Sequence, residues 1–153
     1  MEFRIEDPRD EHFMHEALKE AYKAFKEDEV PVGAIIVCND KIIGRGYNLT
    51  ERLNDVTAHA EMIALTAASE NMNGKYLSQC TMYVTVEPCI MCAGALGWSQ
   101  IGRLVYGAPD SKRGFLKFCD NKISPLHPRT LVTGNILGSV CGELMKEFFR
   151  KKR

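Results

Sequence analysis

The sequence predicts an α/β fold: a mixed five-stranded sheet with helices on both faces, a three-layer α/β/α arrangement. Three observations predict it. Helical and strand patterns follow one another in the order α β β α β α β β α. The stretch Val32–Val37 is apolar almost throughout, as a buried strand is. The 153 residues suit one domain, spanning 1–153, with a single sizeable core and no repeat, low-complexity tract or linker.

The elements follow in order. Phe13, Met14, Ala17, Leu18, Ala21, Tyr22 and Phe25 repeat at helical spacing and predict a helix from about 10 to 27. Its His12 and His15 are i and i+3, yet nothing nearby completes a metal site, so ordinary helix histidines are expected. Pro31 closes that helix. A strand over 32–37, a turn at Asn39-Asp40 and a strand from Ile42 to Tyr47 form a hairpin. A second helix runs to about Met72 behind an N-cap at Thr57 or Asp55, and Asn73-Gly74 stops it. Thr81–Val86 is a strand that delivers the chain to Glu87-Pro88, and a third helix runs from Cys89 to about Ser99 with Pro88 at its first position. Its small run Ala93–Gly97 allows close packing, on the sheet or on another subunit. Arg103–Gly107 and Leu131–Thr133 are strands, separated by an irregular stretch over 108–129 with three prolines. The last helix begins near Gly138, with Cys141, Leu144, Met145, Phe148 and Phe149 toward the core.

Lys plus Arg and Asp plus Glu both number 20, but the neutral total hides a gradient. Residues 1–29 carry five basic and ten acidic side chains, net −5, and residues 103–153 carry eleven and four, net +7. A basic C-terminal third fits either a phosphate-bearing partner or a solvated tail. No stretch reaches the roughly 18 apolar residues of a membrane span, and the N-terminus lacks an apolar signal core, so a cytoplasmic protein with reduced thiols and no membrane partner is expected. On that view Cys38, Cys80, Cys119 and Cys141 are small hydrophobes.

The chemistry concentrates in Thr57-Ala58-His59-Ala60-Glu61 and Pro88-Cys89-Ile90-Met91-Cys92. One imidazole and two thiolates are a protein shell for a catalytic zinc, with the fourth tetrahedral position open to water. Two thiolates and a neutral histidine cancel the dication. Cys89 and Cys92 share a helix face, whereas His59 and Glu61, both expected in the first helical turn, meet one centre only if it lies off the helix end. Glu61 is then the proton carrier rather than a ligand, because a ligating carboxylate would lose its mobility. A closed structural zinc site would instead need Cys80, Cys119 or His127 as a fourth ligand, and would leave Glu61 without purpose.

Those two motifs, with Glu29-Val30-Pro31-Val32-Gly33-Ala34, the run Tyr83–Ala95 and Phe148-Phe149-Arg150, resemble the bacterial tRNA-specific adenosine deaminase family, part of the cytidine deaminase superfamily. The resemblance covers nearly the whole chain. It implies hydrolytic conversion of adenosine to inosine at the wobble position of a tRNA anticodon, with the base flipped into the pocket of a homodimer holding one zinc per subunit. It implies His59, Cys89 and Cys92 as ligands and Glu61 as proton shuttle. It places Asn48 on the flipped nucleoside, Val32 and Ala60 along the base, Asp110 near the flanking nucleotides, and Phe149 and Arg150 on a helix that closes on the RNA. Read without the resemblance, Asn48 and Asp110 are turn residues and Phe148 or Phe149 is core. Lys112, Arg113, Lys117, Lys122, Arg129 and Arg150 to Arg153 are candidate phosphate contacts. Two segments depart from the family pattern, Arg113-Gly114-Phe115-Leu116 and Leu126-His127-Pro128-Arg129, both expected near the RNA. The alternative expectation is deamination of a free base or nucleoside such as guanine or cytosine, since metal motifs fix chemistry better than substrate.

Overall fold

The first helix, α1 (Pro8–Lys26), starts two residues before its predicted position because Asp7 caps it, accepting from Arg9 N at 3.0 Å, with proline at the first turn. Acidic residues in its first turn and lysines in its last complement the helix dipole. The structure is a computed structural model that describes residues 7–120 and 123–153; the candidate phosphate contact Lys122 lies outside the described residues.

Strands β1 (Gly33–Cys38), β2 (Lys41–Tyr47), β3 (Cys80–Val86), β4 (Arg103–Ala108) and β5 (Leu131–Thr133) form one sheet in the order β2-β1-β3-β4-β5. β1 pairs antiparallel with both β2 and β3, while β3–β4 and β4–β5 are parallel, so the sheet is mixed as expected. The two-residue alternation of a strand divides the core. Ile35, Val37, Tyr83 and Val105 pack with Phe13, Met14, Ala17 and Leu18 of α1 and with Cys141 and Leu144 of α4 (Gly138–Lys151). Ala34, Ile36, Met82, Val84 and Leu104 face the other way, against α2 (Ala60–Met72) and α3 (Ile90–Ser99). Helices therefore cover both faces.

Two features hold these layers in register. Asp10 of α1, 4% exposed in its side chain, receives a bidentate pair from Arg103 at 2.7 and 2.6 Å and the Tyr83 hydroxyl at 2.8 Å. On the opposite face α2 lies directly on β2. A Cβ at Gly46 would stand 2.5 Å from Ala60 O, and one at Gly44 would stand 2.5 Å from Ala64 O. Only glycine permits that approach, which seats the first turn of α2 at the end of the sheet where β1 begins and where β2, β3 and β4 finish. The stretch 108–129, expected to be irregular, contains a 3₁₀ turn at Phe115–Phe118 whose first ring is 1% exposed.

Candidate metal centre and base pocket

Both metal-motif helices begin later than the sequence patterns predict, α2 by two residues from a Thr57 cap or four from Asp55, and α3 by one. His59 is the N-cap of α2, with extended backbone, and Glu61 is its second helical residue. Neither Thr57 nor Asp55 caps the helix. Asp55 instead accepts from Thr57 N at 2.8 Å and from its hydroxyl at 2.7 Å, closing a separate turn just upstream. Cys89 is likewise the N-cap of α3, so Pro88 precedes the helix rather than opening it, and Cys92 is the third helical residue. An N-cap side chain projects off the helix end. Two such ends therefore bring His59, Cys89 and Cys92 together, their ligand atoms all within 4.8 Å of one another.

The donor set fits zinc. His59 Nδ1 lies 3.6 Å from Cys89 Sγ and 3.5 Å from Cys92 Sγ. Tetrahedral zinc with Zn–S of about 2.3 Å and Zn–N of about 2.0 Å sets sulfur and nitrogen ligands about 3.5 Å apart. The ionisation pattern agrees. Hydrogen bonding from Cys92 and His59 pulls Cys89 down to about 4, and the resulting thiolate, with burial, pushes Cys92 upward. Two sulfurs this close ionise together only around a cation. Among the described residues no fourth histidine, cysteine or carboxylate joins the group. Cys80 opposes Cys38 across β1 and β3, Cys119 donates to Phe115 O, and His127 Nδ1 accepts from Arg129 N. A closed four-ligand site is therefore not built here.

Glu61 is 3% exposed, and burial, with the Cys89 charge adding to it, pushes its carboxyl up to about 7. It lines a cavity of about 270 Å³ together with His59 and Cys89. That volume is near the low end of small-molecule clefts, about 300–1,000 Å³, the scale of a single heterocyclic base. Val32, Ala60 and Val86 give it apolar walls, and Asn48 gives it a polar one.

The family model for the cytidine and deoxycytidylate deaminase zinc-binding region matches residues 7–108. The chain belongs to this family. A curated tRNA-specific adenosine deaminase from Aquifex aeolicus is 43% identical over 144 residues, 94% of this chain and 95% of that protein. A chloroplastic tRNA(adenine(34)) deaminase from Arabidopsis thaliana is 40% identical over 97% of this chain, which spans 13% of that longer protein. A structure solved in work on A-to-I editing by tRNA:A34 deaminases at the wobble position superposes with a TM-score of 0.80 at 40% identity, covering 87% of this chain and 98% of that one.

Within this deaminase, Asn48 is both turn residue and pocket wall. Its Oδ1 accepts from Thr50 N at 3.3 Å and its Nδ2 donates to Val30 O at 3.3 Å, leaving the group 7% exposed along the cavity. Asp110 also combines both readings: it accepts from Lys112 N and Arg113 N at 3.0 Å and lines the cavity. Phe149 and Arg150 do not reach it. Phe149 is 47% exposed and stacks edge-on with Phe148, and Arg150 pairs with Glu147 at 2.9 Å. From α4 it is Met145 that lines the cavity, one turn before Phe149 on the same face. Sequence reasoning assigned Met145 to the core because a pocket-facing apolar residue carries the same periodicity as a buried one. Of the two departures from the family pattern, Arg113 lines the pocket, whereas His127 closes a local turn.

Proposed function

We propose that this chain, acting as one zinc-dependent domain, hydrolyses adenosine to inosine at the wobble position of a tRNA anticodon. The observation that carries the chemistry is a His–Cys–Cys donor set opening onto a base-sized cavity with a buried carboxylate beside it. The tRNA substrate is supported by the near full-length similarity to tRNA-specific adenosine deaminases.

His59, Cys89 and Cys92 hold the zinc. When bound, zinc supplies a Lewis acid that makes water nucleophilic at neutral pH. Water adds to C6 of adenine, and the C6–amino bond breaks to release ammonia. Glu61 accepts the water proton and passes it to the ring nitrogen, then serves the departing amine. Burial pushes this carboxyl upward and a bound cation draws it back, which leaves it able to take and give a proton. Val32 and Ala60 hold the flipped base between apolar surfaces, and Asn48 meets its polar edge. Asp110 stands where the flanking nucleotides enter. Phe149 and Arg150 lie beyond the cavity, where with Lys151, Lys152 and Arg153 they meet the RNA outside the flipped base.

The molecule pairs with a second copy. Ile90, Gly94 and Trp98 form one i, i+4, i+8 stripe on α3; Trp98 is 83% and Ile90 47% exposed, and nothing lies within 4 Å of a Cβ placed at Gly94. Gly97, by contrast, packs inward against Pro125. Trp98→Glu is expected to give monomers by light scattering. All six cysteines are free and no described helix is long and apolar enough to cross a membrane, in keeping with work on tRNA in the cytoplasm.

The test is product analysis on an anticodon stem-loop carrying adenosine at the wobble position, beside free adenosine, guanine and cytosine. Inosine should form on the stem-loop with kcat/KM far above that for free adenosine, and should weaken steeply with salt. Ammonia from a free base with no inosine in the stem-loop reassigns the chain to small-molecule deamination.

A further inference from the structure

Glu87 is a buried carboxylate that the chemistry above does not use. It sits between the end of β3 and Pro88-Cys89, 6% exposed. Its backbone N donates to Ala108 O at 2.8 Å, which fixes its direction. Its two oxygens then act on two separate points of the loop after β4. Oε1 accepts from Asp110 N at 3.1 Å, and Oε2 accepts from Leu116 N at 3.1 Å.

The segment between those points is folded around the carboxylate. Asp110 turns the chain by accepting from Lys112 N and Arg113 N, and its own carbonyl accepts from Gly114 N at 3.0 Å. Gly114 passes so close that any side chain there would strike the Glu87 carboxylate. Gly114 also bridges to Cys89, and Phe115 N donates to Pro88 O at 2.9 Å. Asp110 and Arg113, at the tip of this loop, both line the cavity. One side chain two residues before a metal-ligating cysteine therefore clamps the loop that presents two pocket groups. Buried charge-assisted hydrogen bonds are the strong kind, and no other carboxylate hydrogen-bonds to both ends of this segment among the described residues.

We infer that Glu87 is a positioning residue: its carboxylate locks residues 110–116 to the metal-bearing segment and so sets where Asp110 and Arg113 meet the nucleotides beside the reacting base. The inference rests on the RNA reading for what those groups touch, but not for the clamp itself.

Two measurements separate the two. The first is amide hydrogen exchange on the zinc-loaded protein, with no substrate. Glu87→Ala should lose protection across 110–116 while α2 and α3 keep theirs. Glu87→Gln, which keeps one acceptor oxygen and cannot accept at the other, should fall between. The second is kinetics on the stem-loop. Glu87→Ala should lower kcat/KM by about 100-fold, the scale of a misplaced positioning group, chiefly through KM, with one zinc per chain retained. Combined with Asp110→Ala it should lose little more than the worse single variant, because both act through one loop. Unchanged protection at 110–116 overturns the clamp. Zinc lost in step with activity in both Glu87 variants, or losses that multiply in the double variant, overturn the positioning role. A wild-type protein inactive on the stem-loop sinks the RNA reading and leaves the exchange result to judge Glu87.

Discussion

Replacing Glu61 by glutamine separates two consequences of burying one carboxylate. Glutamine keeps the shape and cannot carry the proton. General acid–base transfer contributes about 10²–10⁴-fold, so kcat should fall by that factor, about 3–5 kcal/mol in the barrier, with zinc content unchanged. Stability should move the other way. Burial raises the Glu61 carboxyl from 4.5 to about 7. Between those values the folded protein holds a proton that the unfolded chain has released, so stability declines as pH rises through the window, and the full cost is present above it. At 1.36 kcal/mol per pKa unit the cost is about 3 kcal/mol. In chelator-treated protein, urea unfolding should therefore find Glu61→Gln equal to wild type near pH 4.5 and more stable by about that amount at pH 8. Restoring zinc should narrow the gap, since a nearby cation favours the carboxylate. Turnover within tenfold of wild type at full zinc occupancy would refute the proton-carrier role, and a stability difference independent of pH would refute the burial argument.

Three further outcomes are expected. Gly46→Ala places a methyl 2.5 Å from Ala60 O; it should cost about 1–3 kcal/mol in thermal unfolding and reduce turnover, because the strain falls on the first turn of α2. Asp10→Ala leaves Arg103 without its bidentate partner; a loss of about 3–5 kcal/mol by urea denaturation is expected, and a loss within experimental error would show that the pair does not tie α1 to the sheet. Glu16, held below the ordinary carboxylate range by Lys19 first and Arg45 second, contributes stability above pH 4.5 that disappears as pH falls through its lowered value. The advantage of wild type over Glu16→Gln should shrink on acidification, and a constant difference would contradict the ion-pair account.

Much of the molecule is readable in its residues. The strands at Leu131–Thr133 and Thr81–Val86 are short runs rich in β-branched and apolar residues, and the ligand spacing carries the metal set. The helix starts slipped because Asp55 and Pro88 satisfy cap preferences that other geometry also satisfies: a turn in one case, the residue before the cap in the other. The buried carboxylates of Asp10, Glu29 and Glu87 were silent for another reason. Glu29, 1% exposed, accepts from the backbone amides of Glu51 and Arg52. Such partners lie tens of residues away: those of Glu29 and Glu87 are main-chain amides, identical at every position, and those of Asp10 are the Tyr83 and Arg103 side chains, 73 and 93 residues on, so composition and periodicity hold no trace of them. Met145 was hidden by ambiguity, since one apolar helix face supplies both core and cavity.

Because the metal donors ride on helix starts pressed against the sheet while Val30, Val32, Asn48, Thr50, Asp110 and Arg113 reach the cavity from separate turns at 29–32, 48–52 and 108–116, that part of the wall is free to diverge at a different rate from the reactive centre. Changing a turn alters which molecule is admitted without disturbing the reactive centre. An architecture of that kind lends itself to retargeting: a directed-evolution library confined to those three turns would sample new substrates against a constant chemistry.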